Sequence, residues 1–235
     1  MLKSPLSKPK ISTYAFVASE WRFLLFGLLM AFWSSLGQTF FISLFSRQIR
    51  DALDLSHGAF GSYYAIATTA SAITLLWLGK LADTVRLERL AKIILGLLCV
   101  SAIMFSQITS VWMLVGGLYF LRMFGQGMMT HVYTTAMARR YLAARGRAIS
   151  IAQLGHTASE SIGPATVVAL QAIFHWRHIW IILPTLAFFT VLPLLSYLTQ
   201  RTKLQDGEGL DGIADGENTI NRDHTKERQI GRAHV

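Results

Sequence analysis

The chain has 235 residues, of which 52% are hydrophobic and only 15% charged, with a formal net charge of +9. Soluble domains carry about 25% charged residues, and the apolar residues here come in blocks about as long as the 20 needed to cross a bilayer core. That excludes an ordinary soluble domain and marks an integral membrane protein. The basic residues sit in short loops between the blocks, which assigns the positive charge to a membrane surface and not to nucleic acid.

The first twenty residues are polar and basic, with Lys3, Lys8 and Lys10, and Pro5 and Pro9 argue against a helix there. Residues 1–20 therefore read as a cytoplasmic arm and 21–200 as a transmembrane domain. Membrane spans are predicted near Phe23–Phe45, Phe60–Leu78, Leu90–Gln107, Trp112–Met137, Ala148–Phe174 and Ile179–Thr199. The first is too long for the apolar core of a signal peptide. The loops between spans are short, so neighbours should run antiparallel. Cys99, the only cysteine, lies in an apolar run and reads as a packing residue; one chain can form no disulfide and no cysteine-based metal site.

Loop charge sets the orientation. Lys80, Arg86, Arg89 and Lys92 follow the second span, Arg139, Arg140, Arg145 and Arg147 the fourth, and Arg201 and Lys203 the sixth. The intervening loops carry no Lys or Arg (108–111), Arg177 alone, or Arg47 and Arg50 offset by Asp51 and Asp54. This alternation predicts six spans with both ends in the cytoplasm. Residues 201–235 lose the apolar blocks and read as a cytoplasmic linker or tail without a packed core. The final residues, 229–235, resemble a reading frame through a sequencing adapter, and the expectation is a truncated fragment of a protein about twice as long.

Polar residues inside the spans carry the functional information, because each costs free energy to bury. Arg122 and Glu160 are the two charges inside the predicted spans. At α-helical spacing Arg122, Gln126, Met129 and Tyr133 share one face of the fourth span, and Gln153, His156 and Glu160 one face of the fifth. Ser34, Gln38 and Phe41 align in the first, while His131 falls opposite Arg122. These residues predict either a water-accessible cavity with a titratable group, or a structural Arg122–Glu160 pair. Gly155, Ser159 and Gly163 repeat every four residues, which lets another helix approach closely, and Pro164 should bend the helix. His175 and His178 flank Trp176 in a short loop and read as interfacial. No GxSxG, HExxH or phosphate-binding loop occurs, so neither an enzyme, a cofactor nor a metal is expected.

Three motifs in order resemble the major facilitator superfamily over about residues 20–200. Gly79-Lys80-Leu81-Ala82-Asp83, with Arg86 and Arg89, resembles that family's loop between its second and third helices. Arg122 with Gly127 resembles its fourth-helix motif, and Gly163-Pro164 the fifth-helix motif. The chain departs from the pattern at Thr84, Arg86, Leu87, Glu88 and Ser159. The resemblance implies the N-terminal six-helix half of a major facilitator fold, with a second half completing the solute site and Gly79, Asp83, Arg86 and Arg89 forming a cytoplasmic gate. It implies a secondary active transporter of a small solute working by alternating access in a plasma membrane, in bacteria the inner membrane. Arg122 suggests an organic anion as solute, and Glu160 with His156 suggests coupling protons. Two alternatives stay open: an exporter of cationic or lipophilic compounds attracted by Glu160, and a non-transporting receptor or assembly protein.

Overall fold

The computed structural model describes residues 12–199, and the expectations for the first eleven residues and for the tail from 200 onward lie outside them. The described chain is helical and forms six rods. The first consists of α1 (Thr13–Trp33), a 3-10 turn (Ser34–Gly37), α2 (Thr39–Ser43) and α3 (Ser46–Leu53). The second is α4 (His57–Leu78), followed by a short α5 (Leu81–Thr84), and the third is α6 (Leu87–Phe105). The fourth joins α7 (Val111–Leu121), a π-helical segment (Arg122–Met129) and α8 (Thr130–Arg140). The fifth and sixth are α9 (Arg145–Gln171) and α10 (Trp176–Thr199). Helix formation begins at Thr13, inside the stretch read as an arm.

Local chemistry explains the boundaries. Ser56 caps α4 by accepting from the Ala59 amide at 3.1 Å, and Ser110 caps α7 through Met113 at 3.3 Å. Asp54 ends α3 in the left-handed region, at φ 51°, where a short polar side chain is tolerated. The first rod breaks where Ser34, Ser35 and Gly37 meet. Ser34 Oγ donates to the Ala31 carbonyl at 2.7 Å, and the backbone runs extended at Gln38.

The rods pack in a definite order: α1 lies chiefly against α9, α10 against α6, and α4 against α7 and the π segment. Small residues bring α1 and α9 together. A Cβ on Gly155 would fall on the Leu28 carbonyl, and a Cβ on Gly27 would press on Met137 and Ala152. Ser159 is buried in the same seam, whereas Gly163 faces the Phe40 ring at ordinary contact distance. Pro164 sits inside α9 and has no amide to offer the Glu160 carbonyl one turn back. At one end Trp180 packs on Phe41, Phe45 and Phe105, with ring centroids 5.4, 5.2 and 4.8 Å away. There Arg177 donates to the Ser106 and Ile108 carbonyls at 2.6 and 2.7 Å, capping the C-terminal end of α6.

The outside is apolar. Ile93, Leu97, Val100 and Met104 form an exposed stripe along α6 at spacings of four, three and four, and Ile182, Leu186 and Phe189 do the same on α10. Among the described residues three helical stretches are long and apolar enough to cross a membrane: Thr13–Ser43, His57–Leu78 and Trp176–Thr199. The other three predicted spans fall short for visible reasons. Helix α6 starts with Glu88, Arg89 and Lys92, the π segment divides the fourth rod, and α9 carries His156 and Glu160.

Candidate functional site

Two irregularities meet at the centre of the bundle. The break in the first rod crosses the π segment of the fourth, and they touch through glycine: a Cβ on Gly125 would lie 2.6 Å from the Gly37 Cα, and a Cβ on Gly37 would meet the Leu121 carbonyl. Only glycine at both positions permits this approach. π-helical turns recur at functional sites because they re-aim side chains and free backbone groups.

Arg122 opens the π segment and is 7% exposed. One of its terminal nitrogens donates to the Gly37 carbonyl at 3.3 Å and to Thr39 Oγ1 at 2.9 Å. Its guanidinium stands 5.4 Å from the centre of the Tyr64 ring, and the Tyr64 hydroxyl donates to the same Thr39 oxygen at 2.9 Å. Three rods thus converge on one buried cation, and none of its described contacts is a carboxylate. Glu160 lies elsewhere: its Oε1 is 3.3 Å from His156 Nε2, one turn away on α9. The Arg122–Glu160 pair, one of the two readings open from the sequence, does not form among the described contacts.

The other sequence candidates divide by environment. Tyr133 and Met129 are buried, while Gln126 is exposed. The single face expected for Arg122, Gln126, Met129 and Tyr133 therefore splits, because the i→i+5 bonding of the π segment abandons the 3.6-residue period. Gln153 is exposed. Gln38 lies at the extended position of the break and is half-buried; its neighbour Thr39 holds Arg122. Thr39 and Tyr64 escaped sequence reasoning, since a threonine and a tyrosine in an apolar run look ordinary. A cavity of about 210 Å³ adjoins Arg122 and is lined also by Thr68, Ser71, Leu75, Met123 and Gln126.

The loop at 79–89 is tied to the fourth rod. His131 Nε2 lies 3.1 Å from the Gly79 carbonyl, and Arg139 donates to the Ala82 carbonyl at 3.1 Å. Since a carbonyl can only accept, His131 Nε2 carries the proton of this bond. Arg86 and Arg89 are exposed, and Asp83 falls within α5. At the same end Glu20 Oε2 accepts from Arg140 at 3.1 and 2.9 Å and from the Tyr141 hydroxyl at 2.8 Å. Arg140 also faces the Phe23 ring at 5.0 Å. Glu20 lay in the stretch read as a polar arm, which concealed its role. Among the described residues no group of three or more His, Cys, Asp or Glu side chains could hold a metal ion.

A helical bundle sheathed in exposed apolar side chains describes a multi-pass membrane protein. A family model described as the Major Facilitator Superfamily matches residues 22–221, and the chain belongs to that family. A search among curated proteins and a search among solved structures each give no match.

Proposed function

We propose that the chain forms one six-helix half of a secondary active transporter, with both ends cytoplasmic, that moves a small organic anion by alternating access and couples it to protons. The observation that carries the reading is Arg122, a buried guanidinium held by neutral groups and lacking a carboxylate among its described contacts. A buried cation without a counter-ion is costly, and an arriving anion offsets that cost. Its placement at the meeting of a broken helix and a π segment supports a site that changes shape.

Several features support the remaining parts. The bond from Arg139 to Ala82 and the Glu20–Arg140 pair gather the N-terminal part of α1 and the two most basic loops at one end, while Arg177 and the Trp180 cluster lie at the other. That grouping agrees with six spans and the positive-inside rule. Gln153, His156 and Glu160 leave a polar face on α9, which lipid would penalise and a wet path or the complementary half would accept. The His156–Glu160 pair is the proposed proton carrier. Gly79, Asp83, Arg86 and Arg89 are the proposed gate, which holds one access state and releases in the other.

Uptake and counterflow in proteoliposomes of the full-length transporter test the proposal. Arg122→Lys keeps the charge and loses the planar fork, so uptake of the anion should fall at least about tenfold with insertion unchanged. Glu160→Gln should abolish proton-driven accumulation and spare exchange of solute for solute. Wild-type uptake by Arg122→Lys would refute the assignment of the anion to Arg122.

A further inference from the structure

Arg22 lies against two aromatic rings, its guanidinium 5.4 Å from the centre of Trp21 and 5.3 Å from that of Tyr197. One of its terminal nitrogens donates to the Tyr197 hydroxyl at 3.3 Å, which ties α1 to α10. The cluster is open to its surroundings, with Trp21 46% and Tyr197 52% exposed. We infer that Arg22, Tyr197 and Trp21 form a binding site for the phosphate of an anionic phospholipid, in the leaflet beside the basic loops. The inference is independent of the transport reading and requires only that the bundle lie in a membrane.

Charge and hydrogen-bonding capacity define the ligand. Glu20, the nearest acidic residue along the chain, accepts from Arg140 and Tyr141, and Arg22 has no carboxylate partner among the described residues. The Tyr197 oxygen accepts from Arg22, which leaves the Tyr197 proton to be donated, and the Trp21 indole can only donate. The three side chains thus offer a positive charge and several donors but no negative charge. Phosphate oxygens accept from such a set, and the planar guanidinium suits them geometrically. A zwitterionic headgroup would bring a cation for which the cluster holds no carboxylate. Position then selects a lipid over free phosphate. Arg22 directly precedes Phe23, where the first apolar block begins, and Tyr197 lies two residues before the end of α10. Both belong to helical stretches long and apolar enough to cross a membrane, and the rim of such helices is the headgroup level that Trp and Tyr favour. Leu194 and Leu186 continue the exposed face of Tyr197 at helical spacing into the apolar stripe of α10, which gives acyl chains a surface.

Dioleoylphosphatidylglycerol is the probe, with dioleoylphosphatidylcholine as its zwitterionic counterpart and inorganic phosphate as the anion without a tail. Each is titrated into the purified protein in detergent micelles, and binding is read as the rise in melting temperature and as lipid retained in native mass spectrometry. Phosphatidylglycerol should raise the melting temperature saturably and be retained; phosphatidylcholine and inorganic phosphate should do neither. Arg22→Gln removes the charge and should weaken phosphatidylglycerol binding about tenfold. Tyr197→Phe keeps the ring and removes the hydroxyl, and should weaken it about threefold or more. Arg145→Gln removes the same charge from an exposed position at the start of α9 and, in physiological salt, should leave the affinity within about twofold of wild type. Without lipid, Tyr197→Phe should melt as wild type does, so it decides the matter even if Arg22→Gln folds poorly. Wild-type affinity in Arg22→Gln or Tyr197→Phe overturns the site, as does the absence of any phosphatidylglycerol-dependent shift. Equal losses in Arg22→Gln and Arg145→Gln overturn it in favour of a diffuse surface charge. Binding of phosphatidylcholine or inorganic phosphate as tight as that of phosphatidylglycerol overturns the assignment to an anionic lipid.

Discussion

Glu20, Arg140 and Tyr141 form the most deeply buried ionic cluster described, with the Arg140 and Glu20 side chains 8% and 11% exposed. Breaking such a pair leaves a buried charge uncompensated, so Glu20→Leu should lower the unfolding free energy by about 3–5 kcal/mol. The double substitution Glu20→Leu with Arg140→Met should recover most of that, read as thermal unfolding in detergent. Burial, and then the hydrogen bond to Glu20, push the pKa of the Tyr141 hydroxyl up. A folded-state pKa above the unfolded one contributes stability that is present below about pH 10 and lost as the pH rises further. Stability should therefore fall on the alkaline side, and Tyr141→Phe should flatten that limb. The sequence exposes a charge inside an apolar run, as it did for Arg122 and Glu160. It does not expose the partner, because Glu20 and Arg140 meet only through tertiary packing across 120 positions.

Elements are set by small residues and by irregular hydrogen bonding. The stripe at Gly155 and Ser159 was readable from its period of four, and Gly155 meets the Leu28 carbonyl across the α1–α9 seam. Gly155→Ala should force the two backbones apart and cost about 1–3 kcal/mol, as overpacking does. Gly96→Ala makes the opposite change within α6: nothing lies within 4 Å of its Cβ, so it should stabilise by about 0.5–1 kcal/mol. Melting temperatures of the two variants, compared with wild type, separate a packing glycine from an incidental one. The π segment left no such mark. Residues 122–129 contain Gly125, Gly127 and Gln126, and nothing in that composition distinguishes i→i+5 bonding from the α pattern. His156 and Glu160 meet along α9, where the 3.6-residue period continues, whereas the i→i+5 bonds of the fourth rod part exposed Gln126 from buried Met129 and Tyr133.

For the whole molecule, hydropathy marks three described stretches long and apolar enough to cross a membrane, while the break at 34–38 and the early start at Thr13 required the structure. In the proposed gate, Asp83→Asn should leave membrane insertion intact and sharply reduce transport by the full-length protein. Wild-type flux would deprive the 79–89 loop of a mechanistic role. The proposed transporter requires that the polar faces of the fourth and fifth rods border water while the apolar stripes border lipid. Single cysteines placed at Gln126, Gln153 and Glu160, and at Ile93, Val100 and Phe189, test it in intact membranes after Cys99→Ala. A membrane-impermeant maleimide, applied from each side in turn, should label the first three from at least one side and leave the second three unreacted. Labelling of the α6 and α10 stripes with no reaction at the three polar positions would contradict that arrangement.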